Sequence, residues 1–197
     1  MIKNGTMASL LMFTWFCLGG PSTVAAADRP ILQEGDRWEF KASTRESISN
    51  TTDRLNGLYE VVFRGGQIEV FEVTGTEKIP IGGNAADELK RMILPDEREY
   101  LKFPLAVGNK WTGTHTQGSG RWRSIRSMNY AVTSEAGGRY KIEGSGGAGS
   151  SHPVSQTRVF IYSPSEKAIV KFFYDSAVGQ QGGKIDIELV KLTAGGK

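Results

Sequence analysis

One short phrase occurs twice in this chain, and it limits the fold more than any other feature. Pro30-Ile31-Leu32-Gln33-Glu34-Gly35-Asp36-Arg37-Trp38 returns as Pro104-Leu105-Ala106-Val107-Gly108-Asn109-Lys110-Trp111. Each copy is a Pro, a short step that begins apolar, a Gly, two polar residues and a Trp. The echo continues: Tyr59 and Val61 with Gly65-Gly66 match Tyr130 and Val132 with Gly137-Gly138, and Pro95, Glu97, Lys102 and Phe103 match Pro164, Glu166, Lys171 and Phe172. Offsets of 69 to 74 residues predict two related units. Gly35 and Gly108 would turn the chain sharply into equivalent strands, and Trp38 and Trp111 would bring large apolar area to one end of the core.

Between these steps the residues alternate with a period of two. Ile185-Asp186-Ile187-Glu188-Leu189 sets aliphatic side chains on one face and carboxylates on the other. Tyr59, Val61 and Phe63 alternate with Glu60 and Arg64, and Gly65-Gly66 then supplies the positive φ of a two-residue hairpin into Ile68 and Val70. Gly137-Gly138 does the same between Val132 and Tyr140, and Gly179–Gly183 predicts a third hairpin. Only Asn84–Leu94 reads as a helix, with Asn84 as cap, Leu89, Met92 and Ile93 on one side, and Pro95 as the stop. The expected fold is an all-β domain over residues 28–197. Its antiparallel strands form pseudo-repeats of about 70 residues (28–103 and 104–192), curled into a barrel or sandwich with one short helix.

The first 27 residues read as a signal peptide. Lys3 precedes an apolar run from Ala8 to Gly20, Pro21 breaks it, and Ala25-Ala26-Ala27 precedes a cut at Asp28. The run is shorter than the roughly 18 apolar residues of a membrane span, and no transmembrane segment follows in the mature chain. Cleavage near Ala27 removes Cys17, the only cysteine. A thiol-free exported domain suits a bacterial periplasm or secreted location. The remaining 170 residues carry 23 basic and 21 acidic side chains, a balance too mild to imply nucleic acid as a partner.

Phe103-Pro104-Leu105-Ala106-Val107-Gly108-Asn109-Lys110-Trp111 resembles an FPL-x-VG-x-x-W motif of exported bacterial proteins of unknown function. Tyr162-Ser163-Pro164-Ser165-Glu166-Lys167-Ala168-Ile169-Val170-Lys171 is similar to their late Y-x-P-x-x-K-x-I-V-K step. Of their Pro-Ala-Gly-Thr-Phe segment, Glu135-Ala136-Gly137-Gly138-Arg139-Tyr140 keeps Ala-Gly and an aromatic. The resemblance implies a β-rich envelope protein and carries over no catalytic residue.

Residues that could carry chemistry are sparse. His115 and His152 stand far apart with no cysteine, which does not predict a metal site. No Gly-x-Ser-x-Gly elbow exists for serine hydrolysis. Gly144–Pro153, which contains His152 and two serines, reads as a flexible loop; without Lys it cannot cradle a phosphate, and no cofactor is expected. Asp96, Glu97 and Glu99 alternate with Arg98 and Lys102, and Asp186 and Glu188 lie on the polar side of a strand; both sets read as solvated faces. The most suggestive cluster is Arg121-Trp122-Arg123. Arginines beside an aromatic can hold anionic or sugar-bearing polymers by paired hydrogen bonds and stacking. The plainer reading packs Trp122 inward and pairs the arginines with surface carboxylates.

These observations lead to a non-catalytic exported envelope module that binds or scaffolds, with an envelope polymer, lipid or envelope protein as partner. Two alternatives stand beside it: an envelope hydrolase using His115 or His152 as base, and a carrier of a lipid or other apolar ligand.

Overall fold

The computed structural model describes residues 26–46, 55–96, 100–117, 124–148, 154–178 and 181–196. Among these residues, ten strands and one helix follow in chain order. They are β1 (Arg37–Glu46), β2 (Gly57–Arg64), β3 (Gln67–Thr74), β4 (Glu77–Pro80), α1 (Gly83–Ile93), β5 (Lys110–Gln117), β6 (Ser124–Ala136), β7 (Arg139–Ala148), β8 (Val154–Ser163), β9 (Ala168–Val178) and β10 (Gln181–Thr193). All strands join one antiparallel sheet in the order β4-β3-β2-β1-β10-β9-β8-β7-β6-β5. Every neighbour except the β1–β10 pair is consecutive in the chain, so one non-local ladder joins the two halves.

The two Trp steps build the same local structure. Gly35 N–H donates to the Phe63 carbonyl and Phe63 N–H to the Asp36 carbonyl, both at 2.9 Å. In the second copy Gly108 N–H donates to Val132 and Val132 N–H to Asn109, again at 2.9 Å. Gly35 and Gly108 sit at φ of 84° and 90°, a region that costs an L side chain its usual contacts. The ladders differ from the sequence echo by two residues: Trp38 faces Val61 and Trp111 faces Tyr130. An extra residue between Val132 and Ser134 bulges β6, and this helps to lengthen the arm leading to Gly137-Gly138. The third part of the echo has no common structure. Pro95 follows α1, whereas Pro164 lies between β8 and β9.

Both Gly-Gly hairpins form as expected, with all four glycines at positive φ. The β9–β10 ladder runs through Gly182 and Gly183 to Gln181, opposite Val178, and residues 179 and 180 lie outside the described set. The helix starts one residue early. Gly82 caps it without a side-chain bond, and Asn84 lies in its first turn. Its buried stripe is Ala86, Leu89, Met92 and Ile93.

The sheet curls without closing. Helix α1 touches both β3 and β9, which stand four strand steps apart. In a flat sheet that is about 19 Å; side chains along one face of the sheet are fully buried with one 11-residue helix among the described residues to cover them, so the sheet must curl over its own face and α1. The concave side holds the core. Trp38, Phe40, Phe160, Tyr162 and Phe172 lie there, fully or almost fully buried, with Leu101 and Leu105. Trp38 Nε1 donates at 2.8 Å to the carbonyl of Glu166, in the turn between β8 and β9. Arg139 grips the Glu166 carboxylate with bonds of 2.9 and 3.0 Å. Ala27, the last residue before the expected cut, pairs with Leu105 through two 2.8 Å bonds.

Candidate functional site: an aromatic and arginine row on the concave face

Antiparallel registers stack the inward side chains into rows across the sheet, one row every two residues. The row Val132, Ile142, Phe160, Phe172, Ile187 and Ala42 is wholly apolar. The next is mixed: Trp111 (β5), Tyr130 (β6), Gly144 (β7), Arg158 (β8), Tyr174 (β9) and Ile185 (β10). One pleat further come Gly113, Met128, Gly146, Gln156, Ser176 and Gly183. The concave face therefore grades from hydrocarbon to polar within about 14 Å of strand.

Each member of the mixed row depends on its neighbour. Trp111 stacks on Tyr130, with centroids 5.5 Å apart and planes 23° from parallel. Tyr130 lies flat across β7 because Gly144 has no side chain; a Cβ there would collide with the ring edge. The Tyr130 hydroxyl then accepts from Arg158 Nη1 at 3.2 Å. The guanidinium lies 5.2 Å from the Tyr100 ring centre and 5.4 Å from that of Tyr174, within cation–π range. Arg158 is only 7% exposed, and its Nε has no acceptor among the described residues.

Glu88 of α1 completes the surroundings. It accepts from the Tyr100 hydroxyl at 2.9 Å and from Arg91 Nη1 at 2.9 Å. Burial first, and then the Glu88 charge, push the Tyr100 phenol well above its ordinary range. Burial works against the charge on Arg158, yet Tyr100, Tyr130 and Glu88 outweigh it and hold the group above its usual value. Arg158 is thus a cation at any physiological pH. Burial alone lifts Tyr162, further along the same strand, to about 12.

Because Tyr130 can lie where it does only over a glycine, Gly144→Ala is expected to lower folding stability by about 1–3 kcal/mol. It should also weaken the near-UV circular dichroism of the Trp111–Tyr130 stack. Unchanged stability with an unchanged aromatic spectrum would show that the ring does not need the space. The expectation of a flexible loop from Gly144 is corrected here: Gly144–Ala148 is the second half of β7.

The opposite, convex face carries a groove of about 570 Å³ at the free edge strand β5. Ala131 pairs with both Lys110 and Glu143 and leaves a low floor. Thr112, Asn129, Thr133 and Ser145 stand around it, with Thr112 Oγ1 bonded to Asn129 Oδ1 at 2.9 Å.

Arg121, Trp122 and Arg123 lie outside the described residues, as do Glu97, Glu99 and His152. His115 belongs to β5, at the position facing Arg126. Asp186 and Glu188 face Ser43 and Lys41 on the convex side. Gly35 and Gly108 take positive φ ahead of β1 and β5; Trp38 is buried, whereas Trp111 is only half-buried. Among the described residues, no group of three or more His, Cys, Asp or Glu could hold a metal ion, and no helix is long and apolar enough to cross a membrane. Sequence reading missed Arg158. Its signal was an arginine in step with the inward aromatics of Arg158-x-Phe160-x-Tyr162. Comparison with models of known protein families, with curated proteins and with solved structures finds no match.

Proposed function

We propose that this protein is an exported, non-catalytic β module of the bacterial envelope that binds or scaffolds a polar envelope polymer through its sheet. The observation that carries the reading is the convex groove beside β5. It offers cationic, anionic, hydroxyl and amide groups along an edge where the polymer chain can run on past the sheet. Each such polar contact contributes modestly, so a hydroxyl-rich chain gains its affinity from many of them. The signal-like start of the chain and the likeness of Phe103–Trp111 to exported proteins support the location.

The test is co-sedimentation with insoluble peptidoglycan sacculi. The protein is expected to pellet with them, and Ala131→Trp, which fills the groove floor, is expected to weaken that binding at least about tenfold. Failure of the unaltered protein to pellet would overturn the binding role. Turnover of the polymer that disappears in a His115→Ala, His152→Ala double variant would instead make the chain a hydrolase.

A further inference from the structure

We propose that Arg158 anchors a second binding site, on the concave face, for the oxyanion group of a small ligand: a carboxylate or a phosphate. The inference goes beyond polymer binding on the convex face and stands or falls separately from it.

A guanidinium buried this far is costly unless its charge and its donors are answered. Arg158 makes no ion pair with any described residue, and its one hydrogen bond goes to the neutral Tyr130 hydroxyl. The carboxylate that influences it, Glu88, is already engaged by Tyr100 and Arg91. Tyr100 and Tyr174 cover the guanidinium, so further partners must approach in its plane. Nη1 is turned to Tyr130. What remains is the edge formed by Nε, a buried donor with no acceptor among the described residues, and Nη2. Two parallel N–H groups on one edge of a guanidinium match the two oxygens of a carboxylate or phosphate.

The surroundings suit such a group. Beyond Arg158 along β8 and β9, the inward residues Gln156 and Ser176 are buried and polar. In the other direction lie the Phe160 and Phe172 rings, stacked 5.2 Å apart. An anion at Arg158 therefore has polar neighbours on one side and an apolar wall on the other. The Trp111–Tyr130 stack, linked to Arg158 through the Tyr130 hydroxyl, supplies a built-in optical reporter.

The test titrates the full exported chain at low salt with sodium phosphate and, separately, with sodium decanoate, read by tryptophan fluorescence and calorimetry. At least one is expected to give a saturable response. Saturation by decanoate alone assigns an organic acid that carries an apolar tail. Saturation by phosphate assigns a small or head-group oxyanion. Arg158→Gln is expected to weaken binding at least about tenfold. Should that variant fail to fold, Arg158→Lys keeps the charge but loses the paired edge, and it is expected to weaken binding by a similar factor. No saturable response to either anion, or a response unchanged in the folded Arg158 variant, overturns the proposal. Ala131→Trp should leave these titrations untouched, so failure here and failure on the convex face are distinguishable.

Discussion

Trp38→Ala is expected to cost about 3–5 kcal/mol of folding stability, the range for truncating a large buried aromatic. Trp38 is wholly shielded from solvent. Its indole fills the end of the core where β1 begins, and its Nε1 holds the Glu166 carbonyl across the sheet. Alanine would leave a large void in that end of the core and a turn carbonyl without its donor. The two losses act in the same direction. For a chain of this size the melting temperature should fall by on the order of 10 °C. Trp111→Ala makes the internal control. Its ring is half-buried and its Nε1 donates to nothing among the described residues, so its loss should cost about 1–2 kcal/mol on the area it shields. Urea unfolding of the two variants decides the matter: a Trp38→Ala loss below about 1 kcal/mol would show that the indole does not plug the core.

The contrast between the two tryptophans also shows how far sequence reading reached. Local chemistry was legible. Gly65-Gly66 and Gly137-Gly138 must make hairpins because few other pairs adopt those angles, and Gly-x-x-Trp announced two strand entries that prove to share their backbone bonds. The curl was expected from the need to bury sheet edges, but the strand order that produces it was not legible, because it depends on the single non-local ladder between β1 and β10 and on α1 lying inside it. The mixed row was hidden for a related reason. Trp111, Tyr130, Gly144, Arg158 and Tyr174 come from five strands, and only the registers bring them to one level. Gly144-Ser145-Gly146-Gly147-Ala148 read as a loop because its intrinsic strand propensity is low. The strand exists because its glycines are what let Tyr130 and Met128 lie across it.

Asp36→Ala should rival the loss of Trp38, at about 3–5 kcal/mol, because it strips one partner from a buried ion pair. The Asp36 carboxylate is fully enclosed. It meets Lys167 Nζ at 2.8 Å, the Gly195 N–H at 2.9 Å and the Gln33 N–H at 2.8 Å. One side chain thus ties the entry to β1, the β8–β9 turn and the chain beyond β10. Lys167 has a left-handed backbone, at φ 55°, a conformation that non-glycine residues hold only under local constraint. Burial by itself would raise the Asp36 pKa, but the Lys167 ammonium and the two N–H donors reverse this and hold it below 3.8. The sign of the pH effect follows. The unfolded chain takes up this proton more readily than the folded one, so the stabilisation is complete above the unfolded value and drains away as pH falls through the folded one. Asp36→Asn keeps an acceptor but no charge, as Asn109 does in the second copy. It should be the milder change near neutrality, costing about 1–3 kcal/mol, and should flatten the acid limb of the stability curve. Urea unfolding from pH 6 down to pH 3 should show the two proteins converging. Parallel curves would mean that the buried carboxylate is not what acid attacks.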